Sequence, residues 1–552
     1  MGRDFSKIRR KLFYYVIIIT GEGKRRGRCC RAGRAMPGCR LTTVMLVGDL
    51  LTRAADNFPQ RTAIIFQEQE INYRQYAGRV GLLAGGLKGL GIKPGDFVVF
   101  LLPNHMEFNI AYFAVVTCGA VVVPVNPLFK GPELRHILSD CQARAVFTVP
   151  PFIPLLKDLQ VELPHLKHII ALGLTGPVPD VVDYRALMAG PLDLSRPPVG
   201  EQDVAALLYT SGTTGTPKGA MLTHDNLTFD AHAVTSFIGV DHTERYIAVL
   251  PLFHAFAGTV CILATACTGA SVVIMDKFDP RATVRAIRQH QVTIFPAVPT
   301  MFAAMLAAAR DLEAADFASL KMFVSGGAAL PQELYRTLEA KFGVAILEGN
   351  GPTETSPISY VNPYHGVRKI GSVGPPLPGV EVIIADENDQ ELPRGQVGEI
   401  LVRGRNVMKG YLNQPEATAQ VLRGGWFHTG DLGTMDEDGY VYIVDRKKDL
   451  ILVGGFNVYP REVEEVLYRH PAVAEAAVIG LPDEMRGEVP VAFVVLKPGQ
   501  EVTARQIIKY CQENLASYKC PRQVVFKEEL PKMANGKIFK RAIKEQALAE
   551  RQ

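Results

Sequence analysis

The chain has 552 residues, 47% hydrophobic and 21% charged, with 50 glycines and 37 prolines. That length exceeds a single core, and the balance is that of a loop-rich, soluble α/β protein of two or more domains. The net charge of +4 hides an asymmetry: residues 1–40 hold twelve Lys/Arg against two Asp/Glu, the remainder is net −6, and that acidic body offers no basic stripe for tracking a nucleic acid.

The basic leader comes first in chain order. Its apolar run, Leu12 to Thr20, is too short to span a bilayer and is followed by Lys24-Arg-Arg. Residues 1–44 are expected to be disordered or accessory, with peripheral contact to anionic lipid as the alternative. The nine cysteines are scattered and form no CxxC pair, so reduced thiols and a cytoplasmic location are expected.

From Met45 to about residue 200, short apolar strands alternate with helical patterns. Asp96-Phe-Val-Val-Phe, Gly119-Ala-Val-Val-Val and Ala145-Val-Phe-Thr-Val read as buried strands, and Met106–Cys118 reads as a helix. Such alternation implies a parallel sheet covered by helices. Near residue 370 the pattern changes to strands separated by turns, which suggests a β-rich unit. The charged run Asp445-Arg-Lys-Lys-Asp449 interrupts it. Beyond it, Pro460-Arg-Glu-Val-Glu-Glu-Val-Leu opens a helix, with proline in the first turn and acids near its positive end.

Chemistry concentrates in a few segments. Tyr209-Thr-Ser-Gly-Thr-Thr-Gly-Thr-Pro-Lys-Gly219 packs glycines, hydroxyls and Lys218 after a short strand, as a phosphate-holding loop requires. Its spacing is neither GxxxxGK[ST] nor GxGxxG, which excludes a Walker kinase or motor and a dinucleotide site. Glu354 in Gly349-Asn-Gly-Pro-Thr-Glu is a natural Mg²⁺ ligand beside a bound triphosphate. Asp431 in Thr429-Gly-Asp can accept from two vicinal ribose hydroxyls. Lys537, in Asn535-Gly-Lys, sits on a tip that a moving domain can deliver into a cleft.

These five motifs, Tyr209–Gly219, Gly351–Glu354, Gly425–Asp431, Asp445–Asp449 and Asn535–Lys537, resemble in order and spacing those of the acyl-adenylate-forming superfamily of acyl-CoA synthetases, luciferases and peptide-synthetase adenylation domains. The resemblance covers about residues 45–545. It implies an α/β fold with a large N-terminal region of layered mixed sheets and helices plus a β-rich subdomain (45–447), and a small mobile α+β C-terminal domain (448–552). It implies ATP, Mg²⁺ and CoA as cofactor and co-substrates, and is compatible with a homodimer.

By position, Thr210, Ser211, Gly212, Thr213, Thr214, Gly215 and Lys218 resemble the loop around the β- and γ-phosphates, with Thr214 and Glu354 toward the metal. Asn350, Gly351 and Thr353 resemble the adenine and α-phosphate contacts, and Asp431 with Arg446 the ribose pair. Lys537 resembles the adenylation lysine, Lys448 the hinge, and Gly454-Gly455 the pantetheine-side loop. One departure stands out: the family commonly has an aromatic residue where this chain has Asn350.

The segment Pro251-Leu-Phe-His-Ala-Phe-Ala-Gly resembles that of bacterial medium- and long-chain fatty acyl-CoA synthetases, so a fatty acid is the first expectation and an aryl acid the alternative. His254 is expected to line or close the acyl tunnel. Ser325, Gly326, Gly327 and Ala328 are expected to wall its carboxyl end, and Ala255, Ala257 and Gly258 to leave room for an alkyl chain. Free CoA is the expected acceptor because little chain follows Lys537.

Overall fold

The computed structural model describes residues 45–211, 217–308, 312–533 and 536–550. The basic leader, Gly212, Thr213, Thr214, Gly215 and Asn535 lie outside the described residues, as does the side chain of Ser211.

Two mixed sheets form the large N-terminal region. In one, the neighbouring strands Ala345–Asn350, Met322–Ser325, Ile294–Ala297, Arg245–Ala248, Ser271–Ile274 and Thr62–Phe66 run parallel, and antiparallel strands flank them at both edges. The other centres on the parallel strands Phe97–Phe100, Val121–Pro124, Ala145–Thr148 and His168–Ala171, and turns antiparallel where Val204–Ser211 pairs with Pro217–Thr223. Inner parallel strands are covered on both faces and read as continuous Val/Ile/Phe runs.

The helix Met106–Thr117 contacts a strand of each sheet. Apart from Glu107, every one of its residues is buried, as expected of a helix apolar on all sides.

The β-rich unit is antiparallel and pairs Val380–Ala385, Gly398–Gly404, Trp426–Met435 and Val441–Arg446. Trp426 is a packing residue here, with the Arg403 guanidinium 4.4 Å from its ring centroid. The main core ends at Val441, and a separate core begins at Ile451. That second core belongs to a smaller α+β domain. In it the helix Pro460–Arg469 buries Val463, Val466 and Leu467 against Val473–Asp483, which pairs with Gly487–Leu496. The domain opens on a hairpin, Ile451–Val453 with Phe456–Val458. Among the described residues no helix is long and apolar enough to cross a membrane.

Candidate active site

The candidate site is built from three groups of residues. The first surrounds Glu354. The strand Val204–Ser211 forms a hairpin with Pro217–Thr223, in which Thr210 lies opposite Lys218. Thr210 Oγ1 donates to Glu354 Oε1 at 3.3 Å, and the Tyr411 hydroxyl donates to the same oxygen at 2.8 Å. Lys218 Nζ is 5.3 Å from the centroid of the Tyr411 ring, within cation–π range. Burial and then the Glu354 carboxylate push the Tyr411 hydroxyl pKa up, which keeps it a donor.

The chain reaches this arrangement by a sharp reversal at Gly351. A Cβ there would lie 1.9 Å from the Pro357 carbonyl oxygen, so only glycine fits. Tyr411 was absent from the sequence-based site. Its short strand, Gly410–Tyr411, pairs with Ala220 and Met221, and no local motif announces that pairing.

The second group surrounds Asp431. Asp431 and Arg446 are register partners of an antiparallel pair, with Arg446 Nε 3.3 Å from Asp431 Oδ1. Burial raises the Asp431 pKa, while Arg446 and then Lys537 pull it back toward ionisation. Lys537 enters from the C-terminal domain on Gly536, whose φ of +82° suits glycine and whose carbonyl accepts from Thr300 Oγ1 at 2.8 Å. Desolvation in the cleft, and then the Arg446 charge, bring the Lys537 pKa down to about 8, while Asp431 and Asp449 oppose them.

Asp431, Arg446, Lys448, Lys537, Asn350 and Ala328 line one cleft of about 1170 Å³. Beside Lys448, the Asp445 carboxylate accepts from Arg446 N and from Arg461 N, both at 2.8 Å. It thereby ties the last strand of the β-rich unit to the first turn of the helix Pro460–Arg469.

The third group encloses a cavity of about 70 Å³ lined by His254, Ser325, Gly326, Gly327, Gly351 and Thr353, among others. Its floor is one face of the first sheet. Tyr246 is level with Ile294, Pro296 with Val324, and Val324 with Leu347, so the period of two puts Tyr246, Pro296, Val324 and Leu347 on the same side. Its roof is the helix His224–Ile238, through Val234, Thr235 and Ile238, and the π-helical turn that follows Ala257.

Gly327 and Asn350 belong to both the cavity and the cleft, and mark where the two communicate. His254 caps the short helix that follows it, accepting from Phe256 N at 3.3 Å. Burial and then the Lys537 charge lower its pKa to about 4, so it is neutral near pH 7.

Some expectations about this wall need correction. Ala328 faces the cleft rather than the small cavity. Ala255 lines the cavity but Ala257 and Gly258 do not, and Phe256 fills the wall against Gly326. Gly454 and Gly455 stand apart from all three groups, exposed at the tip of their hairpin.

Comparison with known proteins agrees with this architecture. The AMP-binding enzyme model matches residues 51–412, and the AMP-binding enzyme C-terminal domain matches residues 462–537. The chain is 41% identical over 499 residues to a feruloyl-CoA synthase of an Amycolatopsis species, covering 90% of this chain and 97% of that one. It is 37% identical over 526 residues to a long-chain-fatty-acid–CoA ligase of Bacillus subtilis, covering 90% and 94%. Among solved structures, an anthranilate CoA ligase in complex with anthranoyl-AMP superposes with a TM-score of 0.86 at 33% identity, over 92% of this chain and 99% of that one. With both halves matched and the expected architecture in place, the chain belongs to the AMP-binding enzyme family and is an acyl-adenylate-forming acid–thiol ligase.

Proposed function

We propose that the chain is an ATP-dependent aryl-acid–CoA ligase. Its substrate carboxylate attacks the α-phosphorus of ATP, giving acyl-AMP and pyrophosphate. The CoA thiolate then attacks the acyl carbon of this mixed anhydride and expels AMP. A free carboxylate would have to expel oxide, which is why activation comes first.

The observation that carries the aryl reading is the compact cavity of about 70 Å³ that Asn350 and Gly327 line, with Tyr246 and Ile238 also in its wall. A long alkyl chain would gain about 0.8 kcal/mol for each methylene buried, but only in a tunnel that continues past those side chains. The names of the feruloyl-CoA synthase and the anthranilate CoA ligase support the same substrate class. A medium- or long-chain fatty acid is the second reading, supported by the Bacillus subtilis relative and the segment around His254.

In this reading Lys218, with Thr210 and the polar loop between them, holds the β- and γ-phosphates. Thr353 serves the α-phosphate and the substrate carboxylate, Asp431 and Arg446 serve the ribose, and the Asn350 amide lies against adenine. Lys537 opposes the charge that builds at the α-phosphate as the carboxylate displaces pyrophosphate.

Mg²⁺ fits Glu354. Among the described residues no cluster of three or more His, Cys, Asp or Glu forms a metal cage, and Mg²⁺ typically takes one or two carboxylates plus substrate phosphates. When bound, it would neutralise phosphate charge. The half-buried Lys537 and the exposed Gly454-Gly455 hairpin suit different steps. Rotation of residues 448–552 about Lys448 would exchange them, a domain gate of the kind that can limit turnover.

The test is steady-state formation of CoA thioester and AMP, followed by mass, over benzoate, 4-coumarate and saturated C4 to C18 acids. Highest kcat/KM on an aromatic acid is expected. A maximum on C10 to C18 acids would overturn the aryl assignment.

A further inference from the structure

The helix Gln332–Phe342 starts without a cap of its own, because Pro331 precedes it and brings no side-chain acceptor. The first backbone N–H groups of a helix have no partner within it and mark its positive end. Two residues before Gln332, Leu330 N donates at 3.0 Å to Glu348 Oε1, a carboxylate of the same domain. Gln332 N, the first donor of the helix, is answered from the other domain: it donates at 3.3 Å to Glu465 Oε2.

Glu465 projects from the helix Pro460–Arg469, one turn after Arg461, and both side chains line the cleft that holds Lys537. Burial raises the Glu465 pKa, while Arg461 and then the Gln332 N–H pull it back toward the ionised form. A carboxylate so placed meets both a free N–H and the favourable end of the helix dipole. A second hydrogen bond between the domains, Thr300 Oγ1 to the Gly536 carbonyl, lies beside Lys537 itself. The two contacts arise from different elements and so hold the C-terminal domain at two points. Glu465 belongs to residues 448–552 and Gln332 does not, so rotation about Lys448 separates them. Their bond therefore favours the orientation with Lys537 in the cleft over the rotated one, and such a differential contact biases a two-state equilibrium.

Building on the domain rotation read above, we infer that Glu465 is a positioning residue for the first half-reaction: by capping the helix Gln332–Phe342 across the domain interface, it holds the C-terminal domain where Lys537 meets the α-phosphate. It acts through Lys537 rather than on the substrate. An enzyme that leaves this orientation in every turnover keeps the two orientations close in free energy, so the loss of one such contact shows in the rate.

The experiment removes each partner in turn. Glu465→Ala deletes the acceptor. Gln332→Pro deletes the donor, and proline suits the first helical position; Pro331 already has the extended backbone (φ −56°, ψ 133°) that a following proline requires. Gln332→Ala keeps the N–H and controls for the side chain. Single-turnover acyl-AMP formation and thioesterification of preformed acyl-AMP are measured with the best acid of the series above, with Lys537→Ala alongside and thermal midpoints recorded for every variant. Glu465→Ala and Gln332→Pro are each expected to slow acyl-AMP formation about 10-fold, and the double variant to slow it no further than either. Thioesterification is expected to be no slower than in the wild type, and Gln332→Ala to match the wild type in both steps. Unchanged acyl-AMP formation in Glu465→Ala, additive losses in the double variant, or equal losses in both steps with a midpoint several degrees lower would each overturn the inference; if Lys537→Ala still slows the first step selectively, domain rotation stands. Equal losses in both steps with Lys537→Ala would overturn the rotation reading and the inference with it.

Discussion

Arg446 lies directly across an antiparallel pair from Asp431, its Nε 3.3 Å from Oδ1. The arginine holds a buried carboxylate toward its ionised form at the edge of the cleft. A ribose-binding carboxylate needs that charge, because a neutral acid is a weaker acceptor. Asp431→Ala is expected to raise the KM for ATP about 10- to 100-fold, the worth of hydrogen bonds to a charged group. Pyrophosphate release at varied ATP measures it, and an unchanged KM would remove Asp431 from the ribose site.

Lys537 separates the two half-reactions. Lys537→Ala is expected to slow acyl-AMP formation by about 10²- to 10³-fold, the scale of losing one preorganised electrostatic contact. Thioesterification of preformed acyl-AMP should change little by comparison. Single-turnover measurements of each half-reaction decide this, and equal losses in both would refute the assignment.

The same lysine predicts a pH dependence. Its pKa is lowered to about 8, so the ammonium is present below that value and is lost as pH rises through it. In the free enzyme, kcat/KM for adenylation is therefore expected to fall on the alkaline side with a midpoint near 8. Lys537→Arg, whose guanidinium does not titrate in this range, is expected to lower the rate but remove that alkaline limb. An identical limb in the arginine variant would assign the titration to another group.

Tyr411 orients Glu354 through a 2.8 Å hydrogen bond. Tyr411→Phe keeps the ring beneath Lys218 and removes only that bond, which is worth about 1.5–3 kcal/mol when the acceptor is charged. The Mg²⁺ concentration for half-maximal adenylation is expected to rise about 10-fold or more. A magnesium titration of pyrophosphate release checks this, and an unchanged midpoint would mean that the hydroxyl does not position Glu354 for the metal.

The elements most legible in the sequence were those whose environment is written locally. Val121–Pro124 and Ala145–Thr148 are buried on every side and read as unbroken apolar runs. The helix Pro460–Arg469 shows both its capping chemistry and its apolar face. The residues near Asp431 were recoverable because motif order carried them. Tyr411 was not, because it depends on a partner distant in the chain. Tyr411 matters through a strand pairing with Ala220. Cavity depth was equally hidden: the small residues after His254 suggested room, but Phe256 occupies the wall that Ala257 and Gly258 were expected to open.

The most direct measurement is a competition in one vessel, with 4-coumarate and palmitate at equal concentration, limiting ATP and CoA, and both thioesters quantified by mass. The product ratio equals the ratio of kcat/KM values whatever the absolute rates. Coumaroyl-CoA in large excess is the expected result, in keeping with the compact cavity beneath Asn350 and Gly327. Palmitoyl-CoA in excess would contradict it and require that the cavity open past Tyr246 and Ile238.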